Sequence, residues 1–374
     1  MTMKKLLMAS TALVGAAMLA APAMAAPPVA NDDFAVGIDG TVEFTVMWWD
    51  QTANNNDRGY GFASNQSEIT FDARATTDTG IEYGFDIEIQ TQTDDGTVGD
   101  ETWMFIDGGD AWGRIELGDA DDAGDAQFVD GGNATDGGLG IAGAIGDVLV
   151  DGSNAAGSNI HSPALAITSD DTKINYITPR VSGVQIGIAF TPDAGAAGGM
   201  DEAANGTDNE NIWTVGVNYE TTYGDWGIEV AAVVVRGENE SAAQEDPNIW
   251  GVGTILTYAG WEFGAGLVDL NETDTTTAKA NSGEERGKWY NLGLNYSSGD
   301  WTIGGGFFSA YGDYADNPST GDFDSKVYQF GFDYDIAPGW DMAADVQLAE
   351  LTNYTSAGLD NQGEAFTIRT GMDF

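Results

Sequence analysis

The sequence predicts an all-β protein: one 16-stranded antiparallel barrel that crosses a lipid bilayer with its strands. Three observations carry that expectation. Four times in the second half a strand ends in Tyr, turns, and restarts on Trp: Tyr219 to Trp226, Tyr258 to Trp261, Tyr296 to Trp301 and Tyr334 to Trp340. The tyrosines recur every 38 or 39 residues, with a long polar connection between one unit and the next. Along each strand, one parity is apolar or aromatic and the other is small, polar or charged. Amphipathic rings at short turns belong at a membrane interface, and alternation of this kind separates a lipid face from a lumen face.

Taken in order, the chain first presents a processing signal. Lys4 and Lys5 precede the short apolar run Leu6 to Leu19, and Ala23-Met24-Ala25 fits a small-x-small cleavage site, with Ala21-Pro22-Ala23 as a second. Residues 1–25 are expected to be removed, leaving 26–374 as the barrel. The strands are then expected near 34–50, 66–77, 80–93, 100–107, 111–119, 172–178, 183–191, 211–219, 225–236, 248–258, 261–270, 287–297, 300–309, 325–335, 339–350 and 364–374. In the third of these, Tyr83, Phe85, Ile87 and Ile89 oppose Glu82, Asp86 and Glu88. Glu229, Glu262, Asp333 and Asp345 all take the polar parity, as do Gly264, Gly266, Gly304 and Gly306. The strand around Trp103 to Ile106 is apolar on both. Thr79-Gly80, Ser182-Gly183, Ala259-Gly260 and Ser298-Gly299 mark tight turns at one end, and 51–65, 191–210, 236–248, 270–287 and 309–325 are long connections at the other.

The connection from Asp119 to Asp171 is by far the longest. Leu139 to Ile145 and Val148 to Val150 give it apolar content that an inward fold against the barrel wall would bury.

Composition excludes several classes. The chain has no cysteine, so disulfides, thiolate metal sites and a cysteine nucleophile are ruled out. Its formal charge of −47 excludes nucleic acid as a partner and favours cations. With 11 Trp, 13 Tyr and 16 Phe, a disordered acidic chain is a poor reading. His161 is the single histidine; it lacks metal-ligand spacing to any Asp or Glu and no nucleophile elbow lies near it. Asp119 to Asp125 resembles a calcium loop in its acid density but lacks the EF-hand spacing and its terminal Glu. No cofactor is required, and the dense carboxylates of the acidic loops could hold a structural calcium ion.

With these pieces in place, the chain resembles a 16-stranded general porin of the alphaproteobacterial type. The segment Trp112-Gly113-Arg114-Ile115-Glu116-Leu117-Gly118-Asp119 is similar to that family's aromatic-Gly strand before the third loop, and the last residue, Phe374, is aromatic. The resemblance implies a homotrimer in the bacterial outer membrane. Each barrel would be a water-filled pore for small hydrophilic solutes and ions, narrowed by an inward-folded third loop, here 119–171. It implies that loop acids (Asp119, Asp121, Asp122, Asp125, Asp130, Asp136 and Asp147) face wall arginines (Arg74, Arg114 and Arg369) across the constriction. The chain departs from the family in having few basic residues, which points to cation preference. Three rival readings stand beside it: a channel specific for one solute, hinted at by the lumen-parity Trp49 and Trp112; an outer-membrane hydrolase; and a soluble or surface acidic β-protein.

Overall fold

In the computed structural model, the described residues are 34–52, 58–64, 67–90, 99–135, 167–168, 170–195, 209–273, 280, 285–313, 322–352 and 360–374. The expected signal segment 1–25, the run 139–150, Asp136, Asp147 and His161 lie outside them.

Among the described residues, seventeen strand segments follow one another. They are β1 (Ala35–Gln51), β2 (Tyr60–Ala63), β3 (Glu68–Thr76), β4 (Glu82–Gln90), β5 (Gly99–Asp107), β6 (Arg114–Asp119), β7 (Thr172–Ile177), β8 (Val184–Asp193) and β9 (Asn209–Tyr223). After them come β10 (Trp226–Asn239), β11 (Asn248–Tyr258), β12 (Trp261–Asp269), β13 (Lys288–Ser298), β14 (Trp301–Asp313), β15 (Asp322–Ala337), β16 (Trp340–Thr352) and β17 (Asn361–Asp373). Each pairs antiparallel with its neighbour, and β1 closes the sheet against β17 in the register Thr41↔Asp373 to Gln51↔Gly363. β2 and β3 pair with successive stretches of β1, Thr45↔Ala63 and then Thr41↔Glu68, so they form one wall strand. The wall is therefore a closed 16-stranded barrel. Each of the 16 expected strands is found, and β2 corrects the expected 51–65 connection, part of which carries wall.

The turn residues explain the short end. Ser182 and Gly183, like Ala259 and Gly260, both take positive φ, the backbone that a two-residue hairpin turn needs to match strand twist. At that end the Tyr-turn-Trp units line up in register: Trp226 faces Tyr258, which faces Trp261, which faces Tyr296. Their rings sit 4.7 Å apart for Trp226–Tyr258 and 4.8 Å for Trp261–Tyr296. Towards the long-loop end, Trp48–Phe366, Phe190–Trp213 and Phe307–Tyr328 make a second aromatic tier. Between the tiers the outer face carries Val230, Leu292, Leu294 and Val346, all exposed.

The inner face is less uniform than alternation predicts. Val233, Val235, Ile249, Val268, Trp289, Phe308, Val327 and Leu351 have lumen parity and are buried together on β10 to β16. Phe128 and Ile167, from the connection between β6 and β7, pack against them. Segments such as Ala231 to Val235 are apolar on both parities because both faces meet apolar surroundings, lipid outside and packed loop inside. β5 behaves the same way: Trp103 and Phe105 are buried inward while Met104 and Ile106 are exposed outward.

Candidate functional site

The inner wall of β7 to β13 is built to seat a piece of backbone. After β6 the chain leaves the wall at Ala120 and runs along its inside as far as Thr135, with a short 3-10 turn at Asp125–Gln127. Lumen-facing glycines make room for it. A Cβ on Gly187 would lie 1.7 Å from the Ala123 carbonyl oxygen, and one on Gly216 would lie 1.9 Å from that of Gly124. For Gly253 against Val129 the figure is 1.7 Å, and for Gly293 against Gly131 it is 2.0 Å. Glycine inside a strand weakens it, so such a row is explained by close backbone approach.

Three asparagines on the same face satisfy the loop's polar groups. Asn175 accepts from the Ala123 amide at 3.1 Å and donates to the Asp121 carbonyl at 2.7 Å. Asn218 donates to the Gln127 carbonyl at 3.2 Å. Asn291 accepts from the Gly131 amide at 2.8 Å and donates to Asp130 Oδ2 at 3.0 Å. Buried backbone groups need such partners, and here the wall supplies them. The inward course of the connection is thus described for 120–135.

The expected loop acids divide by role. Asp122 is buried and turned onto backbone: its Oδ1 accepts from the Gly124 amide at 2.8 Å and the Asp125 amide at 3.2 Å, and its Oδ2 accepts from Thr168. Asp130 likewise receives the Gly132 amide at 2.6 Å. Asp119 ends β6 and accepts from the Thr172 hydroxyl. Asp121 and Asp125 are part-exposed, and burial holds both carboxyls well above the ordinary range. Asp121 is pushed up to about 7, with Asp170 adding and Lys173 opposing. Asp125 is pushed up to about 8, with Asp122, Asp121 and Asp130 adding.

The arginines do not form one patch. Arg74 and Arg114 share the Phe105 ring, at 5.7 Å and 4.1 Å, and Arg114 also lies 5.0 Å from Trp103. Arg74 pairs with Asp72 at 3.1 Å and Asp86 at 3.7 Å, and Arg114 with Glu116 at 2.8 Å. Arg369 is held apart, among Glu43, Asp341 and Asp333. Its register partner on β1 is Thr45, while that of Arg74 is Ala35. The two partners are ten residues apart, roughly 33 Å along a strand.

Several inner-wall residues escaped sequence reasoning as site members: Asn175, Asn218, Asn291, Glu88, Glu101, Asp170 and Lys173. Lys173, buried on β7, donates to the Ala120 and Thr168 carbonyls, so it anchors both ends of the long connection. The consecutive acids Asp100-Glu101 at the start of β5 were the legible signal, since two neighbours cannot both take lumen parity in a regular strand.

A closed barrel with an apolar outer face, aromatic tiers and a charged inner face carrying a docked loop defines an outer-membrane β-barrel protein. The chain belongs to the Gram-negative porin family, whose model matches residues 9–354. It is 27% identical over 230 residues to an uncharacterized protein of Rickettsia typhi, covering 54% of this chain and 51% of that one. An uncharacterized protein of Rickettsia prowazekii is 25% identical over the same length. The chain thus spans about half the length of the curated relatives it matches. Among solved structures it resembles a porin refined at 1.8 Å resolution, with TM-score 0.57 and 17% identity over 91% of this chain and all of that one. It also resembles a loop-deletion mutant of OmpT, an outer membrane protein of Vibrio cholerae (TM-score 0.59, 12% identity, 92% of this chain and 100% of that one). An engineered Rh. blastica porin gives TM-score 0.58 and 14% identity over 91% and 100%. The family places the chain in the outer membrane.

Proposed function

We propose that the chain forms a water-filled outer-membrane channel for passive diffusion of small hydrophilic solutes and ions, with a preference for cations. The observation that carries the cation preference is the pairing of the wall arginines. Arg74, Arg114 and Arg369 each already face at least one carboxylate at 3.7 Å or closer. Their charge is neutralised locally, and the acids left over set the sign of the field in the lumen. The family and fold favour a channel over an enzyme, and small solutes and cations are the partners this lumen suits. Assembly is proposed to be a homotrimer, as in the family the chain resembles.

Swelling of liposomes that contain the refolded protein tests the channel. Swelling should be fast with small sugars and slow as solute size increases. Liposomes that stay inert to every solute, although the protein is folded and inserted, would remove the proposal.

Asp125 gives the proposal a pH signature. Its carboxyl titrates near 8 in the docked loop against 3.8 for an exposed aspartate. The docked loop therefore keeps a proton that an undocked loop would release. Docking stability is fully present below about pH 4 and falls as pH rises towards 8, because the undocked form binds fewer protons in that window. In the same window the docked loop gains negative charge near the lumen. Potassium preference should rise between about pH 6 and pH 9, and Asp125→Asn should flatten the rise. Reversal potentials at the two pH values check it.

A further inference from the structure

Six outward-facing side chains near the short turns enclose a groove in the lipid face of the barrel. Trp226 of β10, Leu256 and Tyr258 of β11, Trp261 and Phe263 of β12 and Leu294 of β13 line it, and its volume is about 370 Å³. Register explains the floor. Leu256 faces Phe263, which faces Leu294, so three apolar side chains lie side by side across three strands. Ring packing explains the opening. Trp226 stacks on Tyr258 with an interplanar angle of 23°, while Trp261 packs on Tyr296 and Tyr296 on Trp301. Tyr258 and Trp261 are register partners across the Ala259-Gly260 turn, yet each ring packs on the neighbour on its far side. The aromatic tier therefore parts between β11 and β12.

Two further features give the groove a polar rim. In the last Tyr-turn-Trp unit, Trp340 gives its Nε1 to the Thr370 hydroxyl at 3.0 Å. Among the described residues, no acceptor meets the indole N–H of Trp226 or Trp261, and nothing partners the Tyr258 hydroxyl. Such groups belong where an apolar body meets a wet, polar neighbour. Carboxylates flank the groove: Asp225 stands on the turn before β10 and Asp300 on the turn between β13 and β14, both exposed. Arg180 is the one cation on a short turn among the described residues, and its guanidinium is taken by Gly183, Asn218 and Gln185.

The volume falls within the ~300–1,000 Å³ range of small-molecule sites. The floor is apolar and faces the bilayer, the mouth offers N–H and O–H donors, and the flanking turns carry negative charge. A hydrocarbon tail suits that floor, and ester or phosphate oxygens can accept from the indoles at the membrane interface. An ammonium headgroup answers the carboxylates, whereas an anionic one would meet like charge. We propose that the groove holds an acyl chain of one phosphatidylethanolamine molecule from the leaflet at the short-turn end. The site does not depend on conduction, and neither does its test.

Refolded protein in detergent is titrated with palmitoyl-oleoyl phosphatidylethanolamine or, separately, with phosphatidylglycerol of the same chains, and bound lipid is counted by native mass spectrometry. One retained phosphatidylethanolamine per chain is expected, preferred over phosphatidylglycerol about fivefold, the order of one charge at a bilayer surface. Leu256→Trp and Leu294→Trp each fill the floor and should lose that lipid while keeping the compact electrophoretic form. Val346→Trp, on the exposed lipid face of β16, should retain it. Asp225→Asn combined with Asp300→Asn should keep the lipid and erase the preference. Equal retention of the two lipids by wild type, wild-type retention by both floor variants, or no lipid retained by folded protein would overturn the proposal.

Discussion

Replacing Arg369 with Ala should destabilise the barrel by about 3–5 kcal/mol, the usual cost of leaving buried carboxylates without their partner. Arg369 sits on β17 with its side chain only 4% exposed, and it closes the seam between the last strands and the first. Nη1 donates to Glu43 of β1 at 2.7 Å, and Nη2 donates to Asp341 of β16 at 2.8 Å. Asp333 of β15 lies 3.7 Å away. Without the guanidinium, three acids from three strands face one another across the seam, two of them with buried side chains. Lys should rescue only in part, since an ammonium cannot reproduce the two-sided fork. The check is urea unfolding of refolded protein, together with the temperature at which the compact electrophoretic form is lost. Adding Glu43→Gln and Asp341→Asn to Arg369→Ala should recover much of the loss, because the uncompensated charges go with them. A loss below about 1 kcal/mol would show that water reaches the seam and that the cluster is ordinary lumen lining.

Gly216→Val should detach the inward loop while leaving the barrel standing. The new side chain would start 1.9 Å from the Gly124 carbonyl oxygen and 2.9 Å from Gln127 Cβ. β9 is hydrogen-bonded on both sides, so the wall cannot yield and the loop must. Overpacking typically costs about 1–3 kcal/mol, and here the cost falls on docking of 120–135. Displaced into the lumen, that segment should lower single-channel conductance and raise open-channel noise, with the unfolding midpoint little changed. Gly305→Ala is the matching control, since it lies on the opposite parity and its Cβ would approach Gln329 O at 3.1 Å and Phe330 Cδ2 at 3.8 Å, with no loop atom near it. Equal conductance in Gly216→Val and wild type would mean that 120–135 does not border the conducting path.

The strands were legible because lipid on one face and lumen on the other impose a period of two that survives in residues such as Tyr83, Phe85 and Ile87 against Asp86 and Glu88. The Tyr-turn-Trp units were legible because interfacial rings recur at each short turn. What failed to show was anything decided by the loop's course. Ala231 to Val235 reads as two apolar faces, and no local rule says that Phe128 and Ile167 cover the inner one. Asn175, Asn218 and Asn291 look like ordinary lumen residues until a backbone lies across them. Asp122 and Asp130 were expected as pore acids, and their oxygens are turned onto loop amides, a contest between backbone and solvent that spacing alone does not decide.

Single-channel recording of refolded protein in a planar bilayer, with a KCl gradient across it, most directly tests whether the barrel conducts and whether its surplus acids set the lumen field. Stepwise conductance with a reversal potential of the sign for potassium preference is the predicted result. Chloride preference, or no conductance from inserted and folded protein, would contradict it.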